Sequence, residues 1–237
     1  MNSTLPSKNA IVVISIGRDH HLQWSLPYLK YYCEKHNIFL EVITKSPWEF
    51  KITNEYNYNT FQKYLVYEYF NQYDRILRLD SDIIINPNSP NFFNNPPGKI
   101  YVSFEDVGNR TSQRLQEIKN IQQELGSVEE WNKGYFNSGV VLCDREHKSI
   151  FEINIDTIYD INLGPFKEQT LLNWKARHKN FPIINLGPSF NFTRIFEEPP
   201  FNLDRKKEAH IIHYAGPQNG KISKMEEDFN YFKKYIT

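Results

Sequence analysis

Two aspartates, Asp80 and Asp82, follow directly on the run Arg75-Ile76-Leu77-Arg78-Leu79 and lead into a second apolar run, Ile83-Ile84-Ile85. In extended chain, residues i and i+2 point to one side. Two carboxylates held there repel each other unless a cation lies between them. Transfer from a sugar diphosphate calls for such a pair. The leaving diphosphate gains charge, and a divalent cation held by carboxylates neutralises it. An Asp-x-Asp pair also arises by chance in turns, so the rest of the chain has to supply the remainder of a site.

The elements that would position the pair are legible in order. Ile11–Ile16 reads as a buried strand ending at Gly17, and a polar turn, Arg18-Asp19-His20-His21, follows. Ligands of open α/β sheets sit beyond the carboxyl ends of strands, which puts Ser15 and Gly17 at a ligand edge. A helix capped by Ser25, with Pro27 in its first turn, runs to about Asn37, and Phe39–Ile43 is a second strand. Residues 45–59 read as a loop. Thr60 caps a helix over 61–71 that carries Lys63 in its first turn, where a lysine opposes the helix dipole. The strand Arg75–Leu79 then delivers the aspartates.

Further strands are expected at 99–104, 135–143, 182–184 and 209–213. Helices are expected at 111–125, 145–159 and 167–178. A last helix follows the capping-box pattern Ser223-Lys224-Met225-Glu226. There is no repeat or composition break, so residues 1–237 read as one α/β domain behind a polar tail, 1–9.

Composition excludes several classes. A formal net charge of zero argues against nucleic-acid binding. Two cysteines, Cys33 and Cys143, are too few for a disulfide framework and point to a reducing compartment. The N-terminus lacks the pattern of a signal peptide, and no apolar run approaches the ~20 residues of a membrane span. A cytoplasmic location is the resulting expectation, and the sequons at Asn2, Asn109 and Asn191 carry little weight.

Leu79-Asp80-Ser81-Asp82-Ile83-Ile84 resembles the DxD motif of GT-A glycosyltransferases, and the wider set is similar to glycosyltransferase family 8, which includes glycogenin and lipooligosaccharide galactosyltransferases. Tyr135-Phe136-Asn137-Ser138-Gly139-Val140 resembles the family's YFNxG strand. Lys167-Glu168-Gln169-Thr170-Leu171-Leu172-Asn173 resembles its DQxxLN segment, and His213-Tyr214-Ala215-Gly216 its late HxxG. Lys63 falls where the family carries a basic residue reaching the donor.

The resemblance implies a GT-A fold, with a mixed, Rossmann-like central sheet flanked by helices. It implies a retaining, metal-dependent hexosyl transfer from a UDP-sugar to a hydroxyl of a glycan or other acceptor. Asp80, Asp82 and His213 would hold Mn²⁺ or Mg²⁺, with the imidazole favouring Mn²⁺. Glu168 and Gln169 would lie near the anomeric carbon. Lys63, Asp80, Ser81, Asn137, Ser138, Gly139, Gly216, Lys221, Ser15 and Gly17 would contact the donor. Glu168 stands where the family has Asp, and the tryptophan usual after the late glycine is missing. Asp106 is a further, weaker candidate. A sugar nucleotidyltransferase and a non-catalytic nucleotide-sugar-binding protein are the rival readings. Acceptor contacts are expected from loops 45–59, 106–134 and 186–206.

Overall fold

The computed structural model describes residues 7–50, 58–156, 158–159, 165–216 and 220–236. In chain order the strands are β1 (Asn9–Ile14), β2 (Phe39–Ile43), β3 (Arg75–Asp80), β4 (Ile83–Ile85), β5 (Ile100–Val102), β6 (Val140–Asp144), β7 (Ile183–Asn185) and β8 (Ile211–His213). The α-helices are α1 (Leu22–His36), α2 (Val66–Tyr69), α3 (Thr111–Leu125), α4 (Lys167–His178), α5 (Arg205–Glu208) and α6 (Lys221–Phe232).

Six strands form a mixed sheet in the order β2-β1-β3-β6-β5-β7. β1 runs parallel to β2 and β3, while β6 is antiparallel to both β3 and β5. β1 explains why the sheet is covered on both faces. Val12 and Ile14 join a core with the aromatic residues of 58–70, α3 and α4, whereas Ile11 and Val13 join a second core with Leu29, Tyr32 and Cys33 of α1. Alternate residues of one continuous apolar strand thus serve two helical layers.

A separate two-stranded ladder, β4 with β8, matters most for the site. Its antiparallel register sets Ile83 opposite His213. The Tyr214 N–H also donates to the Asp82 carbonyl at 3.0 Å. The late strand is therefore bolted to the residue after the aspartate pair by backbone bonds.

Several expectations on local structure are revised. β1 spans Asn9–Ile14, so Ser15 and Ile16 lie beyond it. Helix α1 begins at Leu22, and Ser25 is a fully buried interior residue, not its cap. The predicted helix over 61–71 is mostly a 3₁₀ helix, Tyr58–Leu65, followed by the short α2. Its bulky, closely spaced aromatics pack on one side, which a tight three-residue turn accommodates. Residues 145–151 are likewise 3₁₀, and the chain is extended again at Glu152. Ser223 caps nothing, because α6 starts earlier, at Lys221, behind Gly220 in the left-handed conformation. The strand expected at 135–143 is regular only from Val140, as β6, and runs on to Asp144. The residues before it bridge from Phe136 to Phe104.

Candidate active site

Asp80 ends β3 and Asp82 opens the path to β4, so the pair lies in the bend between two sheets. Ligand atoms of Asp80, Asp82 and His213 all lie within 4.8 Å of one another. His213 Nε2 stands 3.6 Å from Asp80 Oδ2 and 3.5 Å from Asp82 Oδ1, too long for well-formed hydrogen bonds. Asp82 Oδ1 is buried and has no hydrogen-bond partner among the described residues. A buried carboxylate oxygen without a donor is costly, and a cation is the partner that its chemistry requests. The donor set of two carboxylates and one imidazole fits a divalent ion of the Mn²⁺ or Mg²⁺ type.

The imidazole is oriented from behind. His213 Nδ1 lies 2.9 Å from Asn191 Oδ1, and the Asn191 amide donates to Asn137 Oδ1 at 3.1 Å. With its amide nitrogen committed, Asn191 offers only its oxygen, so Nδ1 carries the proton and Nε2 is turned towards the carboxylates. Burial lowers the pKa of His213, but the two carboxylates outweigh it and hold it above the usual histidine value. Burial likewise pushes Asp80 and Asp82 up, and the opposing cations win. Arg78 and Lys63 then hold Asp80 well below the carboxylate range, and His213 with Lys221 does so for Asp82.

Four cations surround the pair. Lys63 Nζ is 3.1 Å from Asp80 Oδ2 and 3.3 Å from Glu168 Oε1. Lys221 Nζ is 2.6 Å from Asp82 Oδ2. Arg78, fully buried in β3, ion-pairs with Asp80 Oδ1 and donates to the Ser138 carbonyl. His213 is the fourth when protonated.

The 137–139 corner and α4 are locked together. Asn173 clamps Phe136 through paired amide bonds of 2.9 and 2.8 Å. That places Gln169 Oε1 where the Ser138 N–H donates to it at 3.0 Å, and Glu168 Oε1 where the Ser138 hydroxyl donates at 2.5 Å. A Cβ on Gly139 would meet His213 Cε1 at 2.1 Å, so only glycine lets the imidazole pack there.

Sequence reasoning missed Glu105. It is buried, held by the Glu105 N–H bond to the Tyr135 carbonyl at 2.8 Å. Its carboxylate accepts from Gln169 at 2.6 Å and Asn137 at 3.2 Å, and pairs with Arg114 at 2.7 Å and Arg110 at 3.0 Å. The signal was the one used for Asp80, an acidic residue straight after an apolar strand. The neighbouring Asp106 instead accepts the Gly134 N–H at 2.6 Å and lines a different groove. Arg78 was legible too, as the residue two before Asp80 on the same strand face. Asn191, noted only as a sequon, is 1% exposed and engaged as above, so it is no glycosylation acceptor.

A cavity of about 410 Å³ collects Lys63, Asp80, Asp82, Asn137, Glu168 and Gln169, with His213 and Gly216 also on its wall. A smaller adjoining cavity, about 180 Å³, is lined by Gly17, Arg18, Lys63 and Ser81. Ser15 is excluded from both, because its side chain is fully buried at the end of β1. Ser81 faces His21, 3.4 Å away, whose pKa burial lowers to about 4 and which is therefore neutral. Cys33 and Cys143 are buried free thiols, and neither belongs to the trio.

A mixed α/β sheet that presents paired carboxylates at a strand end, with a sugar-sized polar cavity beside them, is the fold of the GT-A glycosyltransferases. Among the solved structures that share it are three glycosyltransferases. One is a glycosyltransferase involved in glycosylation of the major capsid of PBCV-1, at 15% identity and TM-score 0.58, covering 95% of this chain and 99% of that one. The galactosyltransferase LgtC, in complex with donor and acceptor sugar analogues, matches at 16% and 0.60, covering 94% and 96%. The bifunctional glycosyltransferase WbbM matches at 12% and 0.61 over all of this chain and 52% of its own. No curated protein matches by sequence. The sequence profile of Glycosyl transferase family 8 matches residues 28–219, and the chain belongs to that family. Membership favours sugar transfer over nucleotidyl transfer. Among the described residues no helix is long and apolar enough to cross a membrane.

Proposed function

We propose that the chain is a metal-dependent, retaining glycosyltransferase that moves a hexose from a UDP-sugar to a hydroxyl of a glycan or other acceptor. The observation that carries this reading is the buried, donorless Asp82 Oδ1 within the Asp80–Asp82–His213 trio. A divalent cation held by these three residues would neutralise charge on the leaving diphosphate. Lys63 and Lys221, each already drawn to an aspartate, supply point charges to the same phosphates. Gly17, Arg18 and Ser81 line the adjoining cavity, which suits the nucleoside. Asn137 and Gln169 are fixed by Glu105 and orient the sugar.

Catalysis then rests on positioning and electrostatics. The acceptor hydroxyl attacks from the face that the diphosphate leaves, and a diphosphate oxygen takes its proton, so anomeric configuration is retained. Glu168 is a poor candidate for a covalent nucleophile. Its Oε1 accepts from Ser138 and lies beside the Lys63 ammonium, both of which draw on its lone pairs. Near-normal turnover in Glu168→Gln excludes the nucleophile role, whereas a loss of about 10⁴-fold or more would reinstate it.

The central test is release of nucleoside diphosphate from a panel of nucleotide sugars, with Mn²⁺ and with chelator. UDP release that needs the metal is expected. No release from any donor at high protein concentration would point instead to a non-catalytic binding protein.

A further inference from the structure

The main cavity has a second charged wall, formed by residues that the donor reading leaves unused. Helix α3 follows without a break on a 3₁₀ turn, Gly108–Arg110, and the Thr111 N–H donates back to the Gly108 carbonyl. Arg110 of this turn and Gln113 and Arg114 of the first turn of α3 line the cavity wall, and Arg194 joins them from the 194–196 turn.

Arg114 is the central observation. It is 2% exposed, and its guanidinium carbon stacks 3.9 Å from the Phe166 ring centroid. Nη2 pairs with Glu105, yet Nε and Nη1 are buried with no partner among the described residues. A buried donor left unmade in this way is costly. A ligand oxygen from the cavity would satisfy them, and the planar fork of arginine is matched to a carboxylate or phosphate.

Arg110 and Arg114 share the Glu105 carboxylate, Arg114 also lies in the field of the buried Glu117, and Arg194 pairs with the half-exposed Glu198 3.1 Å away. Through Glu105, Arg110 and Arg114 are joined to Asn137 and Gln169.

We propose that Arg110, Arg114 and Arg194 bind an anionic substituent, a carboxylate or phosphate ester, on one of the two sugars. The substrate pair therefore includes an acidic sugar. This rests on the assignment of Asn137 and Gln169 to the sugar end of the cavity.

Titration calorimetry on the full chain tests it in two arms. The donor arm compares UDP-glucuronate with UDP-glucose. The acceptor arm compares glucuronate-bearing and phosphate-bearing disaccharides with their neutral counterparts, with and without UDP and Mn²⁺. An acidic ligand is expected to bind at least about tenfold tighter in one arm, and that arm identifies which sugar carries the anion. Arg110→Gln and Arg194→Gln, both at partly exposed positions, should bring the ratio towards one while UDP affinity holds. Equal binding of acidic and neutral ligands in both arms, binding of none, or a preference that survives in both variants overturns the proposal. Failure of UDP itself to bind would count against the donor reading, and the acceptor arm without UDP still decides this one.

Discussion

Among the described residues two clusters each bring two carboxylates and one imidazole within 4.8 Å: Asp80, Asp82 and His213, and Asp144, Glu146 and His147. In the second, Asp144 Oδ1 accepts from Arg75 Nε at 2.6 Å, and Oδ2 accepts the Gly98 N–H. His147 Nδ1 accepts the Asp144 N–H at 3.0 Å. Glu146 extends into solvent, its side chain 62% exposed. Both Asp144 oxygens and His147 Nδ1 thus have a donor from the protein itself. In the first cluster Asp82 Oδ1 has none. Composition and proximity thus fail to separate a binding centre from a structural knot, whereas the accounting of donors separates them.

The comparison breaks most directly under single substitutions. Asp82→Asn should lower metal-dependent transfer by at least about 10²-fold, since even residues behind a metal ligand cost 10–100-fold. Its unfolding midpoint should fall only modestly, because the charge removed both pairs with Lys221 and repels Asp80. Asp144→Asn should show the opposite balance. It strands the buried Arg75 and should cost about 3–5 kcal/mol in urea unfolding, with turnover unchanged at temperatures where the variant is folded. If the two variants exchange these phenotypes, the distinction drawn here is wrong.

Asn191→Ala sharpens it further. The Nδ1 partner of His213 would be lost with no ligand removed, and Mn²⁺ affinity measured by calorimetry should fall about 10–100-fold. The smallest effect concerns His147. Burial, opposed by its acidic neighbours, holds its pKa below the usual 6.5. The unfolded chain then takes up a proton just below pH 6.5 that the folded chain refuses. Stability contributed by neutral His147 is complete above 6.5 and declines as pH falls towards the folded pKa. The slope for one proton is at most about 1.4 kcal/mol per pH unit. Urea midpoints of wild type and His147→Gln across pH 5–7.5 should converge at the acid end.

The legibility of the sequence follows the same division. β3 and its aspartates announce themselves, because a buried strand ending in charge is a local pattern. The sheet strands and α3 and α4 were also readable from periodicity and from Gly126. The 58–70 segment was misread, because its packing partners, not its spacing, choose the tighter helix. Ser15 was taken for a donor contact because its place at a strand end was visible but its direction was not. Glu105 was overlooked in favour of Asp106, since which of two adjacent acids turns inward depends on the bridge to Tyr135–Asn137. Asn191 carried no local hint, as its role exists only where three distant segments meet.

The β4–β8 ladder fixes when, as well as where, the site comes into being. Lys221 lies 139 residues after Asp82, and His213 reaches the aspartates only through pairing with Ile83. Synthesis at about 5–20 residues per second exposes Asp80 and Asp82 several seconds before β8 exists. Such long-range closure is slow to form and is completed late. A nascent chain stalled before residue 211 keeps its parallel β1–β3 nucleus but lacks the imidazole that completes the trio, so competence to hold a cation is conferred by almost the last strand to be made.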